Sequence, residues 1–484
     1  MQSIRTWHQS LREIADIAPD KVLFGDDARK LTALESLSLS EHVAAKFQSF
    51  GIKPGDYVAL RANRSVFTVL ALLGLRAIGA VVVLTDPRHT CTAYLSETLL
   101  PLPVSATVEQ TEDTLFTVTT SDGFSSFNLF ALPPVRLSLG ARDAEEPSFV
   151  IFTSGSTGAK KAIVLSESAL IHNLLDSAPL GDYSTQDIAL GALPIDPVFG
   201  LALLTGVLVL RYALYFPKST DVFTLLAAIE REKITRMNGV PSLYLAMCEH
   251  AKEYDLSTLR AGFIGGSPIG PERFAFIENT LGMTLIPVYG MSECIGIACT
   301  DSHDPQSVRA ESVGRFYPMN TGVILSDSGR EAAPNEIGEI CVKGPMRMLG
   351  YLHERLSPDE WLHTGDLGYL DTDGRLHLTG RKKEIIIRNG INLAPIRIEN
   401  ALLSVPGVKA AAVVGLQDPK EGEVPAAMVV SDRKESELLA AIGALLQKNE
   451  IPVLLNIVDA LPLTASGKPD KKRVLEVLTQ CRNG

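Results

Sequence analysis

The chain has 484 residues, 46% of them hydrophobic and 21% charged, with a formal net charge of −11. That is the composition of a globular protein too long for one ordinary core, so two or three domains are expected. It excludes a membrane-spanning helix, because no apolar run approaches the ~18–20 residues that a span needs.

The opening residues, Met1-Gln2-Ser3-Ile4-Arg5-Thr6-Trp7-His8, lack an apolar signal core, which points to a cytoplasmic protein without integral membrane association. Six cysteines form no CxxC pair and nine histidines no HExxH, so neither a metal cage nor a disulfide framework is expected. From residue 381 onward 15 Lys+Arg stand against 12 Asp+Glu, so the preceding 380 residues carry −14. A weakly basic end on an acidic body does not suggest nucleic-acid binding. It suits either a small domain closing over a polyanion or an ordinary scatter of surface charge.

Along the chain, residues 34–50 read as a helix, Gly51-Ile52-Lys53-Pro54-Gly55-Asp56 as a turn and Tyr57-Val58-Ala59-Leu60 as a strand. Residues 66–78 read as a buried helix. Gly79-Ala80-Val81-Val82-Val83-Leu84 reads as a buried strand closed by Asp86-Pro87. This alternation predicts an α/β unit with parallel strands. Next come Phe149-Val150-Ile151-Phe152 and Ala162-Ile163-Val164-Leu165-Ser166, two β-branched runs around Thr153-Ser154-Gly155-Ser156-Thr157-Gly158-Ala159-Lys160-Lys161. Glycines that turn N–H groups inward, hydroxyls and lysine suit a loop that wraps polyphosphate. It is not a Walker A sequence, which would open a helix. On its own it reads equally well as a Ser/Gly hairpin.

The rhythm then repeats. Strands are expected at residues 188–193, 213–216, 234–240, 259–264 and 285–288, with helices at 199–209, 221–232 and 271–280. Polar loops at Gly265-Gly266-Ser267-Pro268 and Tyr289-Gly290-Met291-Ser292-Glu293 follow strands, where ligands gather in such sheets. Beyond about residue 300 short strands and turns, such as Asp371-Thr372-Asp373-Gly374-Arg375, predict a β-rich subdomain. After the charged junction Gly380-Arg381-Lys382-Lys383-Glu384, a compact α+β domain is expected. Its helices would be at 395–403 and 435–447, and its strands at 408–414, 426–430 and 452–458.

In ordered series these motifs resemble the adenylate-forming superfamily: acyl- and aryl-CoA synthetases, adenylation domains of peptide synthetases and firefly luciferase. The series runs through the 153–161 loop, Gly265-Gly266-Ser267, Tyr289 to Glu293, Gly338-Glu339-Ile340, Gly350-Tyr351, Trp361 and Thr364-Gly365-Asp366. It closes with Gly380 to Glu384 and Leu463-Thr464-Ala465-Ser466-Gly467-Lys468. The resemblance covers about residues 30–475. It implies a large N-terminal domain over residues 1–380, a small mobile domain over 381–484 and a hinge at Lys383.

The resemblance also implies a two-step ligase. A carboxylic acid and ATP form acyl-adenylate and pyrophosphate, then a thiol displaces AMP. CoA is the expected thiol, and carrier-protein phosphopantetheine the alternative. Thr153, Ser154, Gly155, Ser156, Thr157, Gly158 and Lys161 would hold the β- and γ-phosphates. Tyr289 would lie against adenine beside Gly265, Gly266 and Ser267, with Gly290 and Met291 adjoining. Ser292 would reach the α-phosphate, and Glu293 with Thr157 would hold Mg²⁺. Asp366 and Arg381 would bind ribose, and Lys468 would bridge the carboxylate and α-phosphate. Rotation at Lys383 would carry Lys468 out and bring Gly390 to the thiol tunnel, although Gly390 also reads simply as a turn residue.

Two segments depart from the family pattern. Lys160-Lys161-Ala162 stands where Pro-Lys-Gly is usual, so Lys161 reads as the counterpart lysine and Lys160 as added charge. Leu193-Pro194-Ile195-Asp196-Pro197-Val198-Phe199-Gly200 lacks the usual aromatic or His beside the acyl pocket. Asp196 is either a pocket anchor or a helix N-cap, and the reading prefers the cap. The expected acyl pocket comprises Asp196, Pro197, Phe199, Val240, Ile264 and Ile295. Its apolar texture leans towards a fatty or aryl acid. A non-catalytic acyl or nucleotide sensor on the same fold is the alternative from another class.

Overall fold

The computed structural model describes residues 4–98, 102–112, 114–121, 123–129, 142–154, 160–463 and 469–483. Among these, two nine-stranded sheets dominate the first 355 residues. One runs parallel through its centre, over Thr284–Met291, Ala261–Ile264, Arg236–Met237, Ile188–Leu190, Ala213–Phe216 and Val22–Asp26, with antiparallel strands at both edges. The other is parallel through Pro147–Ser154, Val81–Thr85, Tyr57–Arg61 and Val104–Glu112. It ends on one side in an antiparallel meander, residues 104–128, for which the sequence reading places no elements.

Burial drives this layering. The helix Val66–Ile78 is buried at every position. With Val198–Leu210 it shares one core with Leu60, Leu84 and Phe149 of one sheet and Phe24, Leu214 and Ile286 of the other. A helix that is apolar on most of its circumference has to be covered on all sides, and its one charge, Arg76, is paired with Glu167. The outer face of the first sheet carries Val222–Glu232, Pro241–His250 and Pro271–Leu281 around a second core. Local signals set the helix ends. Thr32 and Glu35 form a capping box, Ser65 and Asp221 cap their helices, and Gly79 closes Val66–Ile78 at φ +89°.

Thr321–Leu325, Gly338–Lys343, Leu362–Leu370 and Leu376–Arg381 make a four-stranded antiparallel sheet, the expected β-rich subdomain. From Ile386 onward a five-stranded sheet has its own apolar clusters on its two faces. Several expected elements are shorter than read: the strand expected at 234–240 is only Arg236–Met237, and two others end early for a local reason. The strand from Ile188 stops at Leu190, because the Ala192 N–H turns back to the Leu190 carbonyl. The helix from Glu435 ends at Gly443, and the Gln447 N–H is taken by the Glu450 side chain. No helix among the described residues is long and apolar enough to cross a membrane.

Candidate active site

The strand Thr284–Met291 is the axis of the site. Its end turns sharply into Cys294–Cys299, with Met291 facing Cys294, which puts Ser292 and Glu293 at the tip of a tight turn. Gly290 is needed there: a Cβ would fall 2.2 Å from the Ile295 carbonyl oxygen. Just past the neighbouring strand Ala261–Ile264, Gly265 comes so close to Val288 that a Cβ would stand 3.0 Å from its carbonyl oxygen. Gly266 and Ser267 follow, exposed, with Gly266 at φ +87°.

Beside Tyr289 lies a polar relay. Its hydroxyl donates to Asp366 Oδ2 at 2.8 Å, and Arg381 Nε stands 2.9 Å from Asp366 Oδ1. Burial first, and then the Asp366 carboxylate, holds the Tyr289 phenol well above its usual range, so it stays a donor. Each carboxylate oxygen retains acceptor capacity, so ribose hydroxyls can add to these partners. A cavity of about 330 Å³ opens alongside, lined by Thr364, Gly365, Arg381, Lys382 and Lys383.

The expected phosphate-binding segment is flanked by an antiparallel pair, Pro147–Ser154 with Lys160–Ser166, in register Thr153 to Lys161. The hairpin reading of this segment and the loop reading are therefore compatible. Gly155, Ser156, Thr157 and Gly158 lie outside the described residues. The two lysines diverge. Lys160 Nζ stands 3.7 Å above the Tyr94 ring centroid and 3.5 Å from Glu97 Oε2. Lys161 Nζ lies 4.7 Å from the Tyr351 ring centroid, and the Tyr351 hydroxyl donates to Glu293 Oε1 at 3.4 Å. Tyr351 thus joins the loop lysine to the expected magnesium carboxylate. The sequence motif contains Tyr351 without signalling this role, and the Tyr94 contact spans too much sequence to be read in advance.

Glu293 offers the hard oxygen that suits magnesium. No group of three or more His, Cys, Asp or Glu able to hold a metal occurs among the described residues. That is compatible with an ion completed by phosphates and water, which needs one or two carboxylates.

At the expected acyl pocket the structure corrects the cap reading of Asp196. The helix Val198–Leu210 is N-capped by Pro197, with no side-chain cap hydrogen bond. Asp196 Oδ1 is instead buried and has no partner among the described residues. Burial, then the nearby Asp86, pushes this carboxyl up to about 7. Ile195, Tyr289 and Ile295 share one core, with Phe199 packed against it. Ile264 points away into the second core, because strand alternation sends Phe263 to one face and Ile264 to the other. Val240 serves as the N-cap residue of Pro241–His250.

At the junction, Lys382, Lys383 and Glu384 form a 3-10 turn, and Lys382 Nζ reaches Glu339 Oε2 at 3.0 Å. Gly390 sits in an exposed turn at φ +77°, with nothing within 4 Å of a notional Cβ, so the turn requirement explains it here. Lys468 lies outside the described residues.

The AMP-binding enzyme family matches residues 11–352, and the AMP-binding enzyme C-terminal domain matches residues 397–468. The chain belongs to this adenylate-forming family. Family and relatives together make it an AMP-forming acid–thiol ligase. It is similar to a feruloyl-CoA synthase of Amycolatopsis sp, 31% identical over 469 residues covering 90% of this chain and 92% of the relative. An indoleacetate–CoA ligase of Aromatoleum aromaticum is 34% identical over 353 residues, covering 69% of this chain and 68% of the relative. The ligase also resembles the solved amide bond synthetase McbA of Marinactinospora thermotolerans. That likeness has a TM-score of 0.83 and 27% identity, covering 98% of this chain and 99% of the other.

Proposed function

We propose that the ligase activates an apolar or aromatic carboxylic acid and passes it to CoA. The observation carrying this reading is that Ile195 and Ile295 are buried in the same apolar core as Tyr289, with Phe199 packed against it. The relatives named for feruloyl-CoA and indoleacetate support an aryl acid.

In the first step a carboxylate oxygen bonds to the α-phosphorus as the bond to the β-phosphate breaks, releasing pyrophosphate. Two anions approach each other, so positioning and positive charge decide the rate. Lys161 and the 153–161 loop hold the β- and γ-phosphates, and Ser292 addresses the α-phosphate. Asp366 and Arg381 fix the ribose, and Tyr289 lies along the adenine. Glu293 and Thr157 would hold magnesium, which neutralises phosphate charge when bound. Lys468 bridges the two reacting anions. In the second step the thiolate sulfur bonds to the acyl carbon and the acyl–oxygen bond to AMP breaks. Rotation about Lys383 exchanges Lys468 for the Gly390 turn between these steps.

A second reading has an amine as acceptor. The unpartnered Asp196 carboxyl supports it, since an ammonium or amine N–H would satisfy that oxygen. An acid-dependent pyrophosphate-release screen, with products identified after adding CoA or amines, tests both readings. At least one fatty or aromatic acid is expected to release pyrophosphate and to yield its CoA thioester. Release without thioester, together with amide formation, would overturn the CoA reading. A thioester formed only on carrier-protein phosphopantetheine would move the ligase to the carrier-loading branch.

A further inference from the structure

One partly buried cation is left without a task by this mechanism. Lys471 opens the helix Lys471–Asn483, and its ammonium lies 2.9 Å from Glu384 Oε2 and 3.0 Å from Glu399 Oε1. Glu384 is the last residue of the 3-10 turn that follows Arg381. Glu399 belongs to the helix Pro395–Leu403, and its Oε1 also accepts the Val413 N–H at 2.9 Å. Lys471 therefore ties three segments together: the hinge turn, a helix of the small domain, and the start of its last helix.

Immediately before Lys471 the chain is pinned. Leu463 and Pro469 form an antiparallel bridge. The Asp470 N–H donates to the Pro462 carbonyl at 2.8 Å, and Asp470 Oδ1 accepts the Arg473 N–H at 3.1 Å. Lys468 is three residues from Lys471 and one from this bridge. The bridge is held within the domain by backbone pairing and is oriented towards the hinge by the Lys471 ammonium. Burial opposes the ammonium charge, but Glu399 and Glu384 outweigh it and hold the group protonated. A cation shared by two partly buried carboxylates is a geometric constraint rather than an ordinary surface pair. Removing it leaves two like charges facing one another.

We propose that Lys471 is a positioning residue for adenylation. With Glu384 and Glu399 it fixes Pro469-Asp470-Lys471, the segment that directly follows Lys468, to the turn after the hinge. This deepens the proposed function and rests on its assignment of Lys468 to the first step.

The test uses the full chain and measures two half-reactions separately. One is pyrophosphate release with acid and ATP; the other is thiolysis of a supplied acyl-adenylate by CoA. A misplaced catalytic group costs up to about 100-fold, so Lys471→Met is expected to lower the kcat of adenylation by about 10–100-fold. KM for ATP and the thiolysis rate should stay nearly unchanged, and Lys471→Arg should restore most of the lost kcat. In a Lys468→Ala background Lys471→Met should cause no further loss, because both act through one group. If Lys471→Met does not fold, Glu384→Gln, which spares the tie to Glu399, should show the same split in milder form. Proportional loss in both half-reactions, or full additivity with Lys468→Ala, would overturn the proposal. Unimpaired adenylation in Lys468→Ala alone would instead refute the lysine assignment, and the proposal with it.

Discussion

At Asp196 a buried carboxyl oxygen has no hydrogen-bond partner among the described residues, and burial followed by Asp86 lifts its titration from 3.8 to about 7. The sign of the consequence is definite. Between about pH 4 and 7 the native state holds a proton that the unfolded chain has released, so stability falls as pH rises through this window. Asp196→Asn removes that dependence. The variant should gain on the parent between pH 5 and pH 8, by about 1–3 kcal/mol after allowance for partial exposure. Urea midpoints at the two pH values check this, and an equal difference at both would show that the carboxyl does not titrate there. Lys468 belongs to the same scale. An ammonium placed between two approaching oxyanions is worth about 2.7–4 kcal/mol of barrier. Lys468→Ala should therefore nearly abolish adenylation and spare thiolysis of a supplied acyl-adenylate. Equal loss of both would show the role is misassigned.

At the element scale, the hairpin Pro147–Ser154 with Lys160–Ser166 is anchored by a buried pair next to its end. The strand Lys160–Ser166 runs directly into the helix Glu167–Leu180. Glu167 Oε1 accepts Arg76 Nε at 2.6 Å, and its Oε2 accepts the Trp7 N–H at 2.6 Å. One carboxylate thus fastens the N-terminal helix Trp7–Ile17 and the core helix Val66–Ile78 to the hairpin. Both side chains of the pair are almost wholly buried. Removing one partner leaves a charge without compensation in low dielectric, so Glu167→Gln should cost about 3–5 kcal/mol. Equilibrium urea unfolding measures it. A loss below about 1 kcal/mol would mean that Arg76 is satisfied by the carbonyls of Ala80 and Ser148, to which its Nη1 also donates.

For the whole molecule the decisive question is whether the last hundred residues rotate at Lys383, as proposed. In this structure Arg273 of the large domain donates to the carbonyls of Val408 and Lys409, a link that rotation at the junction must break. Proline fixes φ and has no N–H, so Lys383→Pro should lock one domain orientation. Acyl-adenylate should still accumulate while thioester formation collapses, as read by separate assays of the two half-reactions. A proportional fall in both would mean that rotation does not occur at Lys383.

The sequence by itself determined the elements whose signals are local. Val66–Ile78, Ala213–Phe216 and Pro395–Leu403 match their expected bounds, because apolar period, caps and an N-terminal proline act within a few residues. The order of motifs likewise identified the adenylate-forming family, since turn glycines and charged loop residues keep their spacing along the chain. Only the tertiary structure decided what depends on distant partners. It sent Ile264 to the second core, gave Lys160 to Tyr94 and Lys161 to Tyr351, set Lys471 between Glu384 and Glu399, and withdrew the cap role of Asp196. Each of these rests on sheet face, burial or a partner far away in sequence, and those are properties of packing that no local pattern encodes.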